Sequence, residues 1–169
     1  LGVVGLGRVG AQVAAYGLAF GMDVVAWSQN LTAERCEAIG VRQVTKQELL
    51  TGSGFVTLHL KLGPRSVGVI GAADLFVMKP TAYLVNTSRG PLVDTEALVA
   101  ALDAGAIAGA ALDVFEPEPL PPDHPFRHHP KILPTPHIGY VTQQTYEIFY
   151  PEAVEDIEAW REGSPIRVL

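Results

Sequence analysis

Short apolar runs alternate with amphipathic stretches along the chain. Gly2–Gly5 reads as a strand, and Val9–Phe20 as a helix with Val9, Val13 and Gly17 on one face. Asp23–Trp27 and Val41–Val44 read as strands on either side of a short helix at Thr32–Ala38, and a second short helix is predicted at Lys46–Leu50. Phe55–Leu60 sets Val56, Leu58 and Leu60 against Thr57 and His59, the period-two signature of a strand. Ala82–Asn86, Ile107–Val114 and Lys131–Leu133 complete the set of strands. Asp94 is a suitable N-cap for a helix whose core stripe is Leu98, Ala101 and Leu102, and Gly105 ends it. Strands that alternate with helices at this rhythm predict an α/β fold, a doubly wound parallel sheet covered on both faces.

Two segments break the rhythm. Glu116–Pro136 holds eight of the thirteen prolines, so it predicts an ordered string of turns. Tyr140–Arg161 is helical in composition, with Tyr146, Phe149, Ala153, Ile157 and Trp160 on one stripe that reads as core, with part of it exposed where a further domain is absent. Pro151 lies inside it and predicts a kink or two abutting helices.

Composition narrows the functional classes. The 169 residues suit one ordinary domain with a full core, and 48% hydrophobic with 18% charged residues is a globular balance. A net charge of −6 without a Lys/Arg cluster argues against a nucleic-acid surface. Cys36 stands alone, which precludes an internal disulfide, suits a reducing compartment and reads as a small, partly buried hydrophobe. There is neither a signal peptide pattern nor an apolar run of the ~18 residues a membrane span requires. A soluble cytoplasmic protein is expected.

Gly5-Leu6-Gly7-Arg8-Val9-Gly10 follows a strand and opens a helix, the context that gives a G-x-G-x-x-G motif its weight. Gly5 permits the tight turn, Gly7 lets backbone approach a pyrophosphate, and Gly10 lets helix and strand pack closely. The helix N-terminus then offers free N–H groups and partial positive charge to phosphates, a Rossmann-type arrangement. An acid is expected at the end of the second strand to bind a ribose 2′-hydroxyl, but Ser28 stands there in Trp27-Ser28-Gln29-Asn30. Ser28 removes the repulsion that excludes a 2′-phosphate, and the nearest arginine, Arg35, is a turn or two away. The residues therefore admit both NAD and NADP, with NAD favoured.

Three further segments end predicted strands, where ligands gather on open α/β sheets. They are Leu84-Val85-Asn86-Thr87-Ser88-Arg89-Gly90, Ala111-Leu112-Asp113-Val114-Phe115-Glu116-Pro117-Glu118-Pro119, and Pro136-His137-Ile138-Gly139. Together they offer a guanidinium, a carboxylate and an imidazole. That set suits hydride transfer to a 2-keto acid or from a 2-hydroxy acid. Arg can grip a carboxylate with two prongs, His can move the hydroxyl proton, and a carboxylate can orient the His. His59 reads as a strand wall residue, and His124, His128 and His129 as surface histidines of the Pro-rich segment; no metal site is expected.

In these four motifs and their order, the chain resembles the D-isomer-specific 2-hydroxyacid dehydrogenases, which include phosphoglycerate dehydrogenases and glyoxylate/hydroxypyruvate reductases. The resemblance runs from the fingerprint to the last helix. It implies that Arg89 binds substrate, Glu118 is the carboxylate partner and His137 is the acid/base; Glu116 is the rival for the carboxylate role. It also implies cofactor contacts at Gly5, Gly7, Arg8, Val9, Gly10, Ser28, Leu60, Thr87, Ser88 and Arg89. Asp113 is implied at the nicotinamide carboxamide, and His137 and Gly139 close the set. Ser28 departs from the family pattern, as does Lys61, which stands where the family often has Pro. The resemblance further implies a small-molecule 2-hydroxy or 2-keto acid substrate and a homodimer. The expected division is a dinucleotide-binding domain over residues 1–142 and a helical segment over 143–169 that returns to a substrate domain. Because the fingerprint starts at residue 2, that substrate domain is expected to be missing here. Formate dehydrogenases are a rival, disfavoured by Glu118 where they have Gln. Two others are a dinucleotide-responsive corepressor scaffold and an inactive cofactor-binding fragment.

Overall fold

The computed structural model describes residues 1–168. It divides into two compact units, Leu1–Pro136 and His137–Leu169. Among the described residues, no helix is long and apolar enough to cross a membrane.

The first unit is built on a seven-stranded sheet. Its strands are β1 (Gly2–Val4), β2 (Val25–Trp27), β3 (Arg42–Gln43), β4 (Phe55–Leu58), β5 (Tyr83–Asn86), β6 (Gly109–Leu112) and β7 (Ile132–Pro134). Every pairing is parallel, and the spatial order is β3-β2-β1-β4-β5-β6-β7. The chain runs outward from β1 in one direction as far as β3, then returns to β4 and runs outward in the other. The order therefore reverses between β1 and β4, the switch point at which open α/β sheets form a crevice beyond their carboxyl ends.

Period-two alternation sorts the strand residues onto two faces. Val3 and Ala26 join one apolar cluster with Ala14 and Cys36, whereas Val4 and Val25 join the other with Leu49 and Leu50. Helices α1 (Arg8–Ala19) and α2 (Ala33–Glu37) thus cover one face. Helices α3 (Lys46–Gly52), α4 (Ala72–Phe76) and α5 (Thr95–Asp103) cover the other through Leu49, Leu75, Leu98 and Leu102, all fully buried. Burial on both faces is why these strands read as short apolar runs.

The caps match the sequence reading. Asp94 accepts a hydrogen bond from the Ala97 N–H at 3.0 Å, and Gly105 has φ +69° just past the end of α5. Thr45 and Glu48 form a reciprocal capping box at α3. The Pro-rich segment carries two short 3₁₀ or strand pieces, Pro125–Arg127 and β7. There His124 Nδ1 accepts from the Phe126 N–H, and His129 meets Asp103, so both serve local structure.

Two expectations are corrected in detail. In the second unit α6 (Gln143–Arg161) is one helix through Pro151, not a pair. Pro151 deprives the Glu147 carbonyl of its helical partner, but Glu147 is exposed and water can replace it. The preceding turns are supported by the Gln143–Glu147 hydrogen bond and the Tyr146–Tyr150 ring pair. Nor is its apolar stripe core: α6 has no buried residue, and Trp160 is 72% exposed.

Removal of the α5 cap should show its worth. Asp94→Ala is expected to lower stability by about 1 kcal/mol, and Asp94→Asn to stay near wild type. Urea denaturation followed by circular dichroism checks this; equal losses in both variants would deny the capping role.

Candidate cofactor and active site

The site grows from the switch point. Gly5 follows β1 in the left-handed region at φ +99°, and a Cβ there would lie 2.7 Å from the His59 carbonyl oxygen just beyond β4. A Cβ on Gly10 would lie 2.0 Å from the Gly5 carbonyl oxygen. Glycine at both positions is what lets α1 start directly over the β1–β4 crevice. Gly7, by contrast, has nothing within 4 Å of an added Cβ. It is the N-cap of α1, with no side-chain cap and no acid in the first turn. The first N–H groups of α1 thus lack the side-chain partners seen at α3 and α5, and open space lies over Gly7. Arg8 and Val9 are exposed beside it, Val9 at 59% despite being apolar. These features fit a pyrophosphate at the helix N-terminus.

Two adjoining cavities extend from this point along the carboxyl ends of the strands. The first, about 550 Å³, is lined by Ser28, Gln29 and Asn30 after β2 and by the loop Leu60–Ser66 after β4. The second, about 400 Å³, is lined by Val9, His59, Thr87, Ser88 and Arg89, and shares Leu60, Lys61 and Leu62 with the first. Ser28, Leu60, Val9, Thr87, Ser88 and Arg89, each singled out in the sequence, therefore converge on one cleft. Arg35 does not: its Nε donates to the Leu6 carbonyl at 2.7 Å and braces the fingerprint loop. His59 is a wall residue. Its Nε2 pairs with Thr57 Oγ1 at 2.9 Å, and burial pushes its imidazole below the ordinary range, which keeps it neutral near pH 7.

The turn after β5 is organised by Asn86, a residue the sequence reading did not single out. Asn86 is buried; its Nδ2 donates to the Arg89 carbonyl at 2.9 Å and its Oδ1 accepts from the Ser88 N–H at 3.1 Å. Ser88 Oγ donates to the Leu60 carbonyl at 2.7 Å, tying this turn to the β4 loop. Gly90 was also missed: a Cβ there would lie 2.3 Å from the Phe115 carbonyl carbon. The signal for Asn86 was present, since Asn at a strand end ahead of Thr-Ser forms local side-chain turns. Arg89 is left exposed at the cleft, with its Nη1 donating to the Ser88 carbonyl at 2.6 Å.

Beyond β6, Asp113 is buried and accepts a hydrogen bond from Thr135 Oγ1 at 2.5 Å. Thr135 was not foreseen as its partner. Glu118 Oε1 accepts from the Phe115 N–H at 2.7 Å, which pins this carboxylate to the turn after β6; Glu116, its rival, is exposed like Glu118 but is not the residue that takes this bond. His137 and Gly139 belong to the second unit. His137 has φ +55°, an uncommon conformation for a non-glycine residue, and its ring meets Tyr140 edge-on at 5.9 Å.

Residues 1–139 match the family model described as "D-isomer specific 2-hydroxyacid dehydrogenase, NAD binding domain". The chain belongs to this family. Its fingerprint, strand-end turns and parallel sheet are therefore those of an NAD-binding domain of D-2-hydroxyacid dehydrogenases. It is 41% identical over 163 residues to a glyoxylate reductase of Aeropyrum pernix, covering 96% of this chain and 49% of the relative. It is 37% identical over 166 residues to a D-3-phosphoglycerate dehydrogenase of Bacillus subtilis, covering 98% and 31%. Among solved structures, a phosphoglycerate oxidoreductase from Vibrio cholerae superposes with a TM-score of 0.89 at 34% identity, covering 96% of this chain and 52% of that one. A D-lactate dehydrogenase from Aquifex aeolicus, complexed with NAD and lactic acid, gives 0.81 at 32% identity, covering 96% and 53%. The chain thus spans about half the length, or less, of these relatives.

The second and third glycines of the motif should respond differently. Gly7→Ala is expected to keep its stability within about 0.5 kcal/mol, as a substitution into open space does. It should weaken NADH binding by about tenfold, because its methyl occupies the approach to the helix N-terminus. Gly10→Ala should lose roughly 1–3 kcal/mol of stability through overpacking against Gly5. Thermal melts and NADH titrations of both variants check the contrast; a destabilised Gly7→Ala or an unaffected Gly10→Ala would refute it.

Proposed function

We propose that this chain is the cofactor-holding part of an oxidoreductase that interconverts a D-2-hydroxy acid and a 2-keto acid. The observation that carries this reading is the exposed Arg89 guanidinium on the same cleft as Val9 of the fingerprint. Bound there, a nicotinamide dinucleotide supplies or accepts the hydride. Arg89 grips the substrate carboxylate in two-pronged fashion and polarises the neighbouring carbonyl. His137 gives a proton to the carbonyl oxygen during reduction and takes it back during oxidation. Glu118 serves as the carboxylate partner of that imidazole. Asp113, held by Thr135, is assigned to the nicotinamide carboxamide. The left-handed backbone at His137 supports a functional reading, because such conformations are kept where geometry matters.

In this reading residues 1–142 form the dinucleotide-binding domain, and residues 143–169 return to a substrate domain. The exposed apolar side chains of α6 support that, since an uncovered stripe of this kind marks a contact surface. The protein works in the cytoplasm as a homodimer; its lone, buried Cys36 agrees with a reducing compartment.

Consumption of NADH with a panel of 2-keto acids, glyoxylate and hydroxypyruvate first, tests the reaction. His137→Ala is expected to lower kcat by about 10²–10⁴-fold while NADH affinity stays near wild type. Equal losses in turnover and in NADH affinity would make His137 a cofactor-holding residue and overturn its acid/base role.

A further inference from the structure

Ser28 and Lys61 are the two departures from the family pattern, and they lie far apart in sequence. The structure brings both to the first cavity, at the end of β2 and at the start of the loop after β4. Arg65 lines the same cavity from the far end of that loop.

The loop is a built element. Ser66 Oγ donates to the Lys61 carbonyl at 2.8 Å and accepts from the Gly63 N–H at 2.9 Å, so one hydroxyl closes the turn that carries both cations. Gln29 Nε2 donates to the Arg65 carbonyl at 3.2 Å and ties the loop to the segment after β2. The charge around the cavity has one sign. No Asp or Glu occurs between Asp23 and Glu34, or between Glu48 and Asp74. Arg35, the cation nearest to Ser28 in sequence, is engaged by its Nε with the Leu6 carbonyl.

The end of the second strand is where a dinucleotide's adenosine ribose is read. An acid there binds the 2′-hydroxyl and repels a 2′-phosphate, whereas a nearby cation accommodates it. This chain has a neutral hydroxyl in place of the acid and two cations across the cavity. We infer that Ser28, Lys61 and Arg65 form a 2′-phosphate subsite, so that the chain takes NADP(H) at least as tightly as NAD(H). Ser28 Oγ donates to the phosphate, and Lys61 and Arg65 supply its counter-charge. The inference rests on the reading of this cleft as the dinucleotide site and deepens it by naming the form of the dinucleotide.

Equilibrium titration of the 169-residue chain with NADPH and with NADH, followed by fluorescence of Trp27 beside Ser28, tests it. NADPH is expected to show a Kd no higher than that of NADH at low salt. The Lys61→Ala/Arg65→Ala double variant should raise the NADPH Kd by about tenfold, the scale of a lost charge-assisted hydrogen bond, and the NADH Kd by less than about twofold. Both side chains are exposed, so the double variant is expected to fold. Ser28→Asp, which restores an acid, should swing the preference toward NADH by at least about tenfold. A wild-type Kd for NADPH above that for NADH would overturn the inference. So would a double variant that weakens both ligands equally, or a Ser28→Asp variant with unchanged preference. If NADH binds and NADPH does not, only the 2′-phosphate subsite fails; if neither binds, the dinucleotide reading of the cleft fails with it.

Discussion

The structure depends on a contact that only hydrogen permits. The α-carbon of Gly10 sits so close to the Gly5 carbonyl oxygen that a Cβ would lie 2.0 Å from it. The α-carbon of Gly5 stands in similar contact with the His59 backbone, where β4 ends. These two approaches set α1 against the sheet at the point where the strand order reverses. They aim an uncapped helix N-terminus, with its partial positive charge, into the crevice. A side chain at either place would lift the helix away and leave the crevice without its electrostatic focus.

Around that contact the sheet is packed on both faces and the turns are specific. Val3 and Val4 point to opposite apolar clusters, so β1 is gripped on both faces. Beyond the strand ends, buried polar groups replace apolar packing as the source of order. Asn86 shapes the Thr87–Arg89 turn, Ser88 ties it to the β4 loop, and Gly90 seats it against Phe115. Each buried polar side chain in these turns is hydrogen-bonded, as burial demands. The result is a cleft whose walls are backbone and small side chains, with Arg89 and Lys61 free to face a ligand.

Much of this was legible in the sequence, for local reasons. Period-two alternation placed the strands, Asp94 and Gly105 bounded α5, and three spaced glycines located the helix over the crevice. Strand ends were less legible: Phe55–Leu60 was read as a strand, yet β4 ends at Leu58, with the His59 N–H still bonded across to the Val4 carbonyl. Helix α4 was not foreseen, since five residues make little more than one turn and show no periodicity. Pro151 was read as a kink or a junction of two helices, and α6 runs through it as one helix because a solvated carbonyl tolerates it. The partners Asp113–Thr135 and Arg35–Leu6 depend on tertiary approach, which spacing along one chain does not encode, whereas Asn86–Arg89 closes a local turn. The meeting of Ser28 with Lys61 and Arg65 was invisible for the same reason.

The central claim is that the α1 N-terminus and the turns after β2, β4 and β5 together hold one dinucleotide. Backbone amide NMR of the chain during titration with NADH tests it most directly. The account predicts the largest shifts at Gly7, Arg8, Val9, Ser28, Leu60 and Ser88, with the amides of α3 and α5 unmoved. Saturable binding that leaves Gly7, Arg8 and Val9 unshifted while other amides move would contradict it.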